Sequence, residues 1–304
     1  MLPPRLPLAL TKRTLRVPDG ALLAYYTTKA PYAGAPIVML ANGLGGHYVA
    51  WAGQIEHLSG EYQFLTWDYR GLFGSTRPNP DVPEAYAITR QAEDLLAILD
   101  AENIPKAAFV GWSMGVQIVL EAYRRAPSRA TSLVLLNGTS GRPLDTVGQI
   151  PGMKSVLPSI VEVCRRAHSI ASQVTRKAAS LPEALGWLKA MGVIGDALNE
   201  SVFAELIQGF SALDMEAYFQ NLRALGEHDA SDVLGLIEVP TLLLSGDRDA
   251  MTPPALSREI ASKIRGAELY IIRGGTHYTA VEFPELVSLR LAKFLAQTSP
   301  KPNA

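Results

Sequence analysis

The sequence predicts an α/β fold: a mostly parallel, twisted sheet with helices on both faces and an all-helical segment inserted after the sixth strand. Three observations carry this. Apolar runs of strand length alternate with amphipathic helical patterns toward both ends of the chain, the rhythm of parallel crossover connections. The run Ala107-Ala108-Phe109-Val110 ends in Gly111-Trp112-Ser113-Met114-Gly115 and passes at once into a helical pattern. After Thr139 the alternation stops, and up to Val233 there are only helical patterns punctuated by Gly and Pro.

In chain order, residues 13–17 and 21–28 read as short strands joined by the turn signal Pro18-Asp19-Gly20, hence an antiparallel hairpin. Residues 36–40 form a continuous apolar run, as a strand buried on both faces requires. It ends in the flexible Asn42-Gly43-Leu44-Gly45-Gly46, ahead of a short helix through Trp51, Ile55 and Leu58. Residues 62–67 give the next strand, closed by Asp68-Tyr69-Arg70-Gly71. In 89–100, Ala92, Leu95, Leu96 and Leu99 fall at i, i+3, i+4 and i+7, one apolar face of a helix packed on a sheet. The Ser113 segment follows, with a helix over 114–126 and a strand over 132–136.

Within the insertion, Asn199 reads as the N-cap of a helix with Phe203, Leu206, Ile207 and Phe210 on one face. Asp214 likewise precedes a helix bearing Tyr218, Leu222 and Leu225, and Trp187, Leu188, Met191 and Ile194 make a third stripe. With no strand of its own, this segment must pack against the sheet. The domain expectation is therefore a core of residues 1–140 and 234–304 with a helical cap over 141–233. The alternation resumes with a strand at 241–245, a helix at 254–264, a strand at 268–272 and a final helix at 284–295.

Composition narrows the function classes. With 48% hydrophobic and 19% charged residues the chain reads as an ordinary globular protein, and Lys+Arg 28 against Asp+Glu 29 leaves a net charge of -1. No basic field points to nucleic acid or a membrane surface, so the expected partner is a small neutral or apolar molecule bound by a monomer or homodimer. The single cysteine, Cys164, leaves no intramolecular disulfide and fits a reducing compartment. Residues 1–10, broken by Pro3, Pro4 and Pro7, do not make a secretory apolar region, and no run approaches the ~20 apolar residues of a membrane span. The expectation is a cytoplasmic protein. No dinucleotide fingerprint and no metal-ligand spacing occurs, so neither cofactor nor metal is expected.

Gly-x-Ser-x-Gly between a strand and a helix is the pattern of a nucleophile elbow. The turn is so sharp that the serine backbone is strained, and side chains two residues to either side would strike neighbouring backbone. The helix that follows puts its positive end where an oxyanion would form. A serine hydroxyl is a poor nucleophile at neutral pH and needs an imidazole to take its proton and a carboxylate to orient that imidazole. Of five histidines, His47 and His57 precede the serine, and His168 and His228 lie in the insertion. His277 stands after the last strand in Gly274-Gly275-Thr276-His277, where an open α/β sheet presents its site. For the carboxylate, Asp247 and Asp249 both follow the preceding strand, and spacing alone does not choose between them.

Together, Asn42 to Gly46, Asp68 to Gly71, Gly111 to Gly115, Gly246 to Pro253 and His277 to Pro284 make the chain resemble the α/β-hydrolase family, in its bacterial esterase, lactonase and haloperoxidase-like group. The resemblance covers essentially the whole sheet domain and implies the α/β-hydrolase fold with a lid. It places the acid at the fourth position of Gly-x-x-Asp-x-x-x-Pro, which is Asp249. Some relatives carry their acid after the sixth strand, but Asn137-Gly138 stands there. It also implies an oxyanion hole of two backbone amides, Leu44 and Met114, although Asn42-Gly43 replaces the family's usual His-Gly, so this loop must be anchored differently.

The functional expectation is a serine esterase acting on an apolar or aromatic acyl group through an acyl-serine, with Ser113, His277 and Asp249 as triad. A carbon-carbon bond hydrolase, an enol-lactonase, a perhydrolase and an iminopeptidase share that machinery, and a ligand sensor with slow turnover is the reading from another class.

Overall fold

The computed structural model describes residues 9–142 and 194–298, together with Gly186 and Lys189. Cys164, His168, the Trp187-Leu188-Met191 part of the third stripe and both chain ends lie outside the described residues.

In chain order the elements are strands β1 (Leu10–Arg16), β2 (Leu22–Thr28) and β3 (Ile37–Ala41), helix α1 (Ala52–Leu58), strand β4 (Gln63–Trp67), helix α2 (Ile88–Ala101), strand β5 (Ala107–Trp112), helix α3 (Met114–Arg125) and strand β6 (Ala130–Leu136). Helices α4 (Glu200–Ser211) and α5 (Met215–Glu227) follow, and then β7 (Thr241–Gly246), α6 (Pro254–Lys263), β8 (Glu268–Ile272), the one-turn α7 (Thr279–Glu282) and α8 (Pro284–Thr298). The eight strands form one sheet in the order β1-β2-β4-β3-β5-β6-β7-β8. The β1–β2 and β2–β4 pairs are antiparallel, and all pairs from β4 to β8 are parallel.

The apolar runs explain the layers. Along a strand alternate side chains face opposite ways. Thus Val38, Val110 and Leu136 join one cluster with Ile55 and Leu58 of α1 and Leu291 of α8. Met39, Phe109 and Leu135 join the other with Leu95 of α2 and Ile118 of α3. Strand β1, largely exposed, begins three residues before the expected Arg13. Its Lys12, Arg13 and Arg16 give no apolar alternation to read, and charges of this kind protect an edge strand from further pairing. Strand β6 and helix α8 likewise run past the expected Ser132 and Leu295, through Ala130-Thr131 and Ala296-Gln297-Thr298, which carry no periodicity.

Both of these helices, α4 and α5, begin where their N-cap residues predict. The Asn199 side chain accepts from Val202 N at 3.2 Å, and Asp214 Oδ1 accepts from Glu216 N and Ala217 N at 3.1 and 3.3 Å. Lacking a core of their own, they complete those of the sheet. Val202, Phe203 and Leu206 of α4 join the α1/α8 layer, and Met215, Ala217 and Phe219 of α5 join the α2/α3 layer. Buried Asn221 pins α5, donating to Arg70 O at 3.0 Å and accepting from Gln91 Nε2 at 2.8 Å. Arg70 is itself held by a buried two-pronged pair with Asp94, both bonds at 2.7 Å. No helix among the described residues is long and apolar enough to cross a membrane.

Strand order also locates the cleft. After β3 the chain builds β4 on one side and β5 on the other. The loops leaving the carboxyl ends of β3 and β5 therefore diverge and open a crevice between them.

Candidate active site

Ser113 stands at that crevice, where β5 turns into α3 with nothing between them. Its backbone is at φ 55°, ψ −117°, a strained conformation for a residue with a side chain. Its amide donates to Leu136 O at 3.0 Å, and its carbonyl accepts from Val116 N at 3.0 Å, so the strain is held by bonds on both sides. The flanking glycines are required by contact. A Cβ at Gly111 would lie 2.4 Å from Gly115 O, and one at Gly115 would lie 2.1 Å from Ala41 O of β3.

Buried His277 brings Nε2 to 2.8 Å from Ser113 Oγ. Its Nδ1 lies 3.0 Å from Asp249 Oδ2 and 3.2 Å from Oδ1. An ionised carboxylate can only accept, so Nδ1 carries the proton and Nε2 is left to accept from the serine hydroxyl. Asp249, also buried, takes further hydrogen bonds from Asn137 Nδ2 at 2.8 Å, Thr252 Oγ1 at 2.7 Å, Thr252 N at 2.8 Å and Met251 N at 2.9 Å. Burial disfavours its charge. The His277 ring beside it and the bonds from Thr252 outweigh burial and hold the carboxyl below the ordinary aspartate range. Asp247 acts elsewhere. It is exposed, and its Oδ1 accepts from Gly274 N at 2.7 Å, bracing the loop that carries the histidine.

Two more side chains fix that loop. Trp112 Nε1 donates to His277 O at 2.9 Å. Buried Glu282 accepts from Thr276 N at 2.7 Å and Thr276 Oγ1 at 2.5 Å, and also from Gly195 N of the insertion at 2.6 Å. The other described histidines lie away from the serine. His47 packs on Tyr48 and Phe73, His57 lies in the last turn of α1, and His228 Nδ1 is 3.2 Å from Gln117 Oε1.

Leu44 and Met114 lie in the loop after β3 and at the first position of α3. Among the described residues neither amide donates to a backbone acceptor in the turns and loops. The loop after β3 is anchored through Asn42. Asn42 Oδ1 accepts from Trp51 Nε1 at 2.7 Å, and Nδ2 donates to Thr66 Oγ1 and Trp67 O, both at 3.2 Å. Asn42 O accepts from Tyr69 OH at 2.5 Å. Among the described residues no group of three His, Cys, Asp or Glu could hold a metal ion.

Sequence reasoning missed Asn137, Thr252, Trp112 and Glu282. Thr252, three residues after Asp249, is the one with a local signal, an aspartate turned back on the amides that follow it. Glu282 reaches back only six residues to Thr276, whereas Asn137 and Trp112 reach the site from the tertiary structure.

Comparison with known proteins bears on this geometry. The family model described as alpha/beta hydrolase fold matches residues 36–284. A protein of Agrobacterium fabrum provisionally named carbamate hydrolase RutD is 28% identical over 269 residues, covering 86% of this chain and 94% of its own. The protein of the same name from Escherichia coli is 27% identical over 288 residues, covering 92% and 94%. Among solved structures, the enol-lactonase from Burkholderia xenovorans LB400 superimposes with a TM-score of 0.75 at 26% identity, over 93% of this chain and 100% of that one.

Proposed function

The chain belongs to the α/β-hydrolase fold family, and from that premise we propose that it is a serine hydrolase cleaving a carboxylic ester with an apolar or aromatic acyl group. The observation that carries the reading is the hydrogen-bond chain from Ser113 Oγ to His277 Nε2, 2.8 Å, and from His277 Nδ1 to Asp249, 3.0 Å, built on a strained elbow. In this reading Ser113 Oγ attacks the carbonyl carbon as His277 takes its proton. The negative charge that develops on the carbonyl oxygen is held by the amides of Leu44 and Met114, where losing one such donor costs about 2.7–4 kcal/mol of transition-state stabilisation. The tetrahedral adduct collapses to an acyl-serine, and His277 returns the proton to the departing alcohol. Water, deprotonated by the same imidazole, then releases the acid. Helices α4 and α5 bring Phe210 and Tyr218 against Gly45, next to Leu44, and their apolar residues supply the acyl pocket.

The test is kcat/KM on p-nitrophenyl esters from acetate to decanoate, with Ser113→Ala alongside. An optimum at intermediate chain length, with a loss of about 10⁴-fold or more in the variant, is expected. Equal rates for both proteins, or a strict preference for short polar esters, would contradict the reading. A second reading, cleavage of a carbamate, is favoured by the names of the two relatives. Attack on the less electrophilic carbamate carbonyl would use the same residues, with His277 protonating a departing nitrogen. An aryl carbamate added to the panel decides it: a kcat/KM above that of every ester makes the carbamate the better substrate.

A further inference from the structure

Two phenols at the cleft differ from the other deep tyrosines. Tyr25 OH donates to Glu102 at 2.5 Å, Tyr26 OH to Asp68 at 2.8 Å, Tyr69 OH to Asn42 O at 2.5 Å and Tyr86 OH to Asp81 at 2.6 Å. Tyr218 and Tyr278 donate to no acceptor among the described residues.

Their places are set by aromatic contacts around the catalytic groups proposed above. Tyr218 of α5 packs edge-on against Phe210 of α4, with ring centroids 5.2 Å apart. Both press on the loop after β3, because a Cβ built at Gly45 would come 2.9 Å from Phe210 and 3.1 Å from Tyr218. Gly45 directly follows Leu44, the proposed oxyanion donor. Tyr278 directly follows His277. Its ring lies 6.1 Å from the imidazole and packs edge-on against Trp112 and Phe203, 5.3 Å each. The two phenols thus sit over the oxyanion loop and beside the general base, each ring fixed and each hydroxyl unspent. Burial pushes both upward, Tyr278 to about 12. Both therefore remain protonated donors across the physiological range.

We propose that Tyr218 and Tyr278 are specificity-determining residues that donate to a second oxygen of the substrate, making the preferred class oxygenated esters or lactones (keto, ether or ring oxygen near the scissile carbonyl) rather than plain alkyl esters. This rests on the reading of Ser113 as nucleophile. A donor in a water-poor cleft penalises a ligand that offers it no acceptor, because the hydroxyl is then desolvated and unpaired.

The test compares kcat/KM within shape-matched pairs. The first pair is p-nitrophenyl 4-oxopentanoate against 4-methylpentanoate, and the second is 2-methoxyethyl hexanoate against butyl hexanoate. Each is measured for the full chain, Tyr218→Phe, Tyr278→Phe and the double variant. The ratio within a pair cancels any general loss of activity, and the same proteins are labelled with a fluorophosphonate to count competent Ser113. The natural protein should favour the oxygenated member of at least one pair by about tenfold or more, and the double variant should abolish that preference. No preference in either pair, or a preference that survives in the double variant while Ser113 still labels, overturns the tyrosine inference alone. If Ser113 fails to label and Ser113→Ala still hydrolyses the esters, the nucleophile reading fails and this inference falls with it.

Discussion

Ser113 reaches its place through the main chain, at φ 55° between β5 and α3, with backbone bonds to Leu136 and Val116 and a glycine two residues to either side. Asp249 and His277 sit instead on loops after β7 and β8 and are held by side chains from elsewhere: Asn137 after β6, Trp112 of β5, Glu282 of α7. The first arrangement has no slack, because backbone meets backbone. The second is a set of separable hydrogen bonds, each adding a part. The nucleophile side should therefore fail all at once, and the acid–base side by degrees.

The largest effect is expected at Gly115. A Cβ there would sit 2.1 Å from Ala41 O, with β3 unable to retreat inside the sheet. Gly115→Ala should lose soluble yield or more than about 4 kcal/mol of stability, of the order that places a mutation among the exceptional ones. Gly60→Ala, where nothing lies within 4 Å, should leave the melting temperature within a degree or two. Equal melting temperatures for the two variants would break the contrast.

A graded loss is expected at Asn137. Asn137→Ala removes a donor from Asp249 Oδ2 and another from Thr276 O, 2.8 and 3.1 Å in the structure, and should cost about 1–3 kcal/mol in kcat/KM. Asp249→Asn should cost about 10⁴-fold, by presenting His277 in the wrong tautomer. The pH profile distinguishes positioning from damage to the fold. The Asp249 carboxyl is held below its ordinary range, so fewer donors let its pKa rise, and activity lost on acidification should be lost at higher pH in Asn137→Ala. A profile that falls uniformly, with its acid limb unmoved, would make Asn137 merely structural.

The smallest effect concerns stability and lies outside both arrangements. Burial lowers the His47 imidazole to about 4, against about 6.5 in an unfolded chain. Between these values the unfolded chain binds a proton that the folded one does not, so stability is fully present above about pH 6.5 and falls as pH drops toward about 4. His47→Phe should flatten the dependence of melting temperature on pH across that window. An unchanged slope would place the acid sensitivity elsewhere.

The same division governs what could be read from the chain. The elbow was legible because its requirements are local: an apolar strand, two glycines at fixed spacing and an immediate helix. The helix starts at Asn199 and Asp214 were legible for the same reason, since an N-cap answers to amides two or three residues on. The doubly wound sheet followed from period and alternation alone. The fasteners of the site were not legible. Asn42 meets Trp51, Thr66 and Tyr69, and Asn137 meets Asp249, only after the sheet has assembled. The choice between Asp247 and Asp249 had the same character. Two aspartates two positions apart differ only in which one the fold buries, and in the structure Asp249 lies beneath His277 while Asp247 braces Gly274 from outside.

The central claim, that Ser113 is the nucleophile, is tested most directly by covalent capture. The protein is treated with a stoichiometric fluorophosphonate, the intact mass is taken, and the adduct is mapped by peptide sequencing. One adduct per chain on Ser113, with Ser113→Ala neither labelled nor active on esters, is the predicted result. An adduct on another residue, or ester hydrolysis that persists in Ser113→Ala, would contradict it.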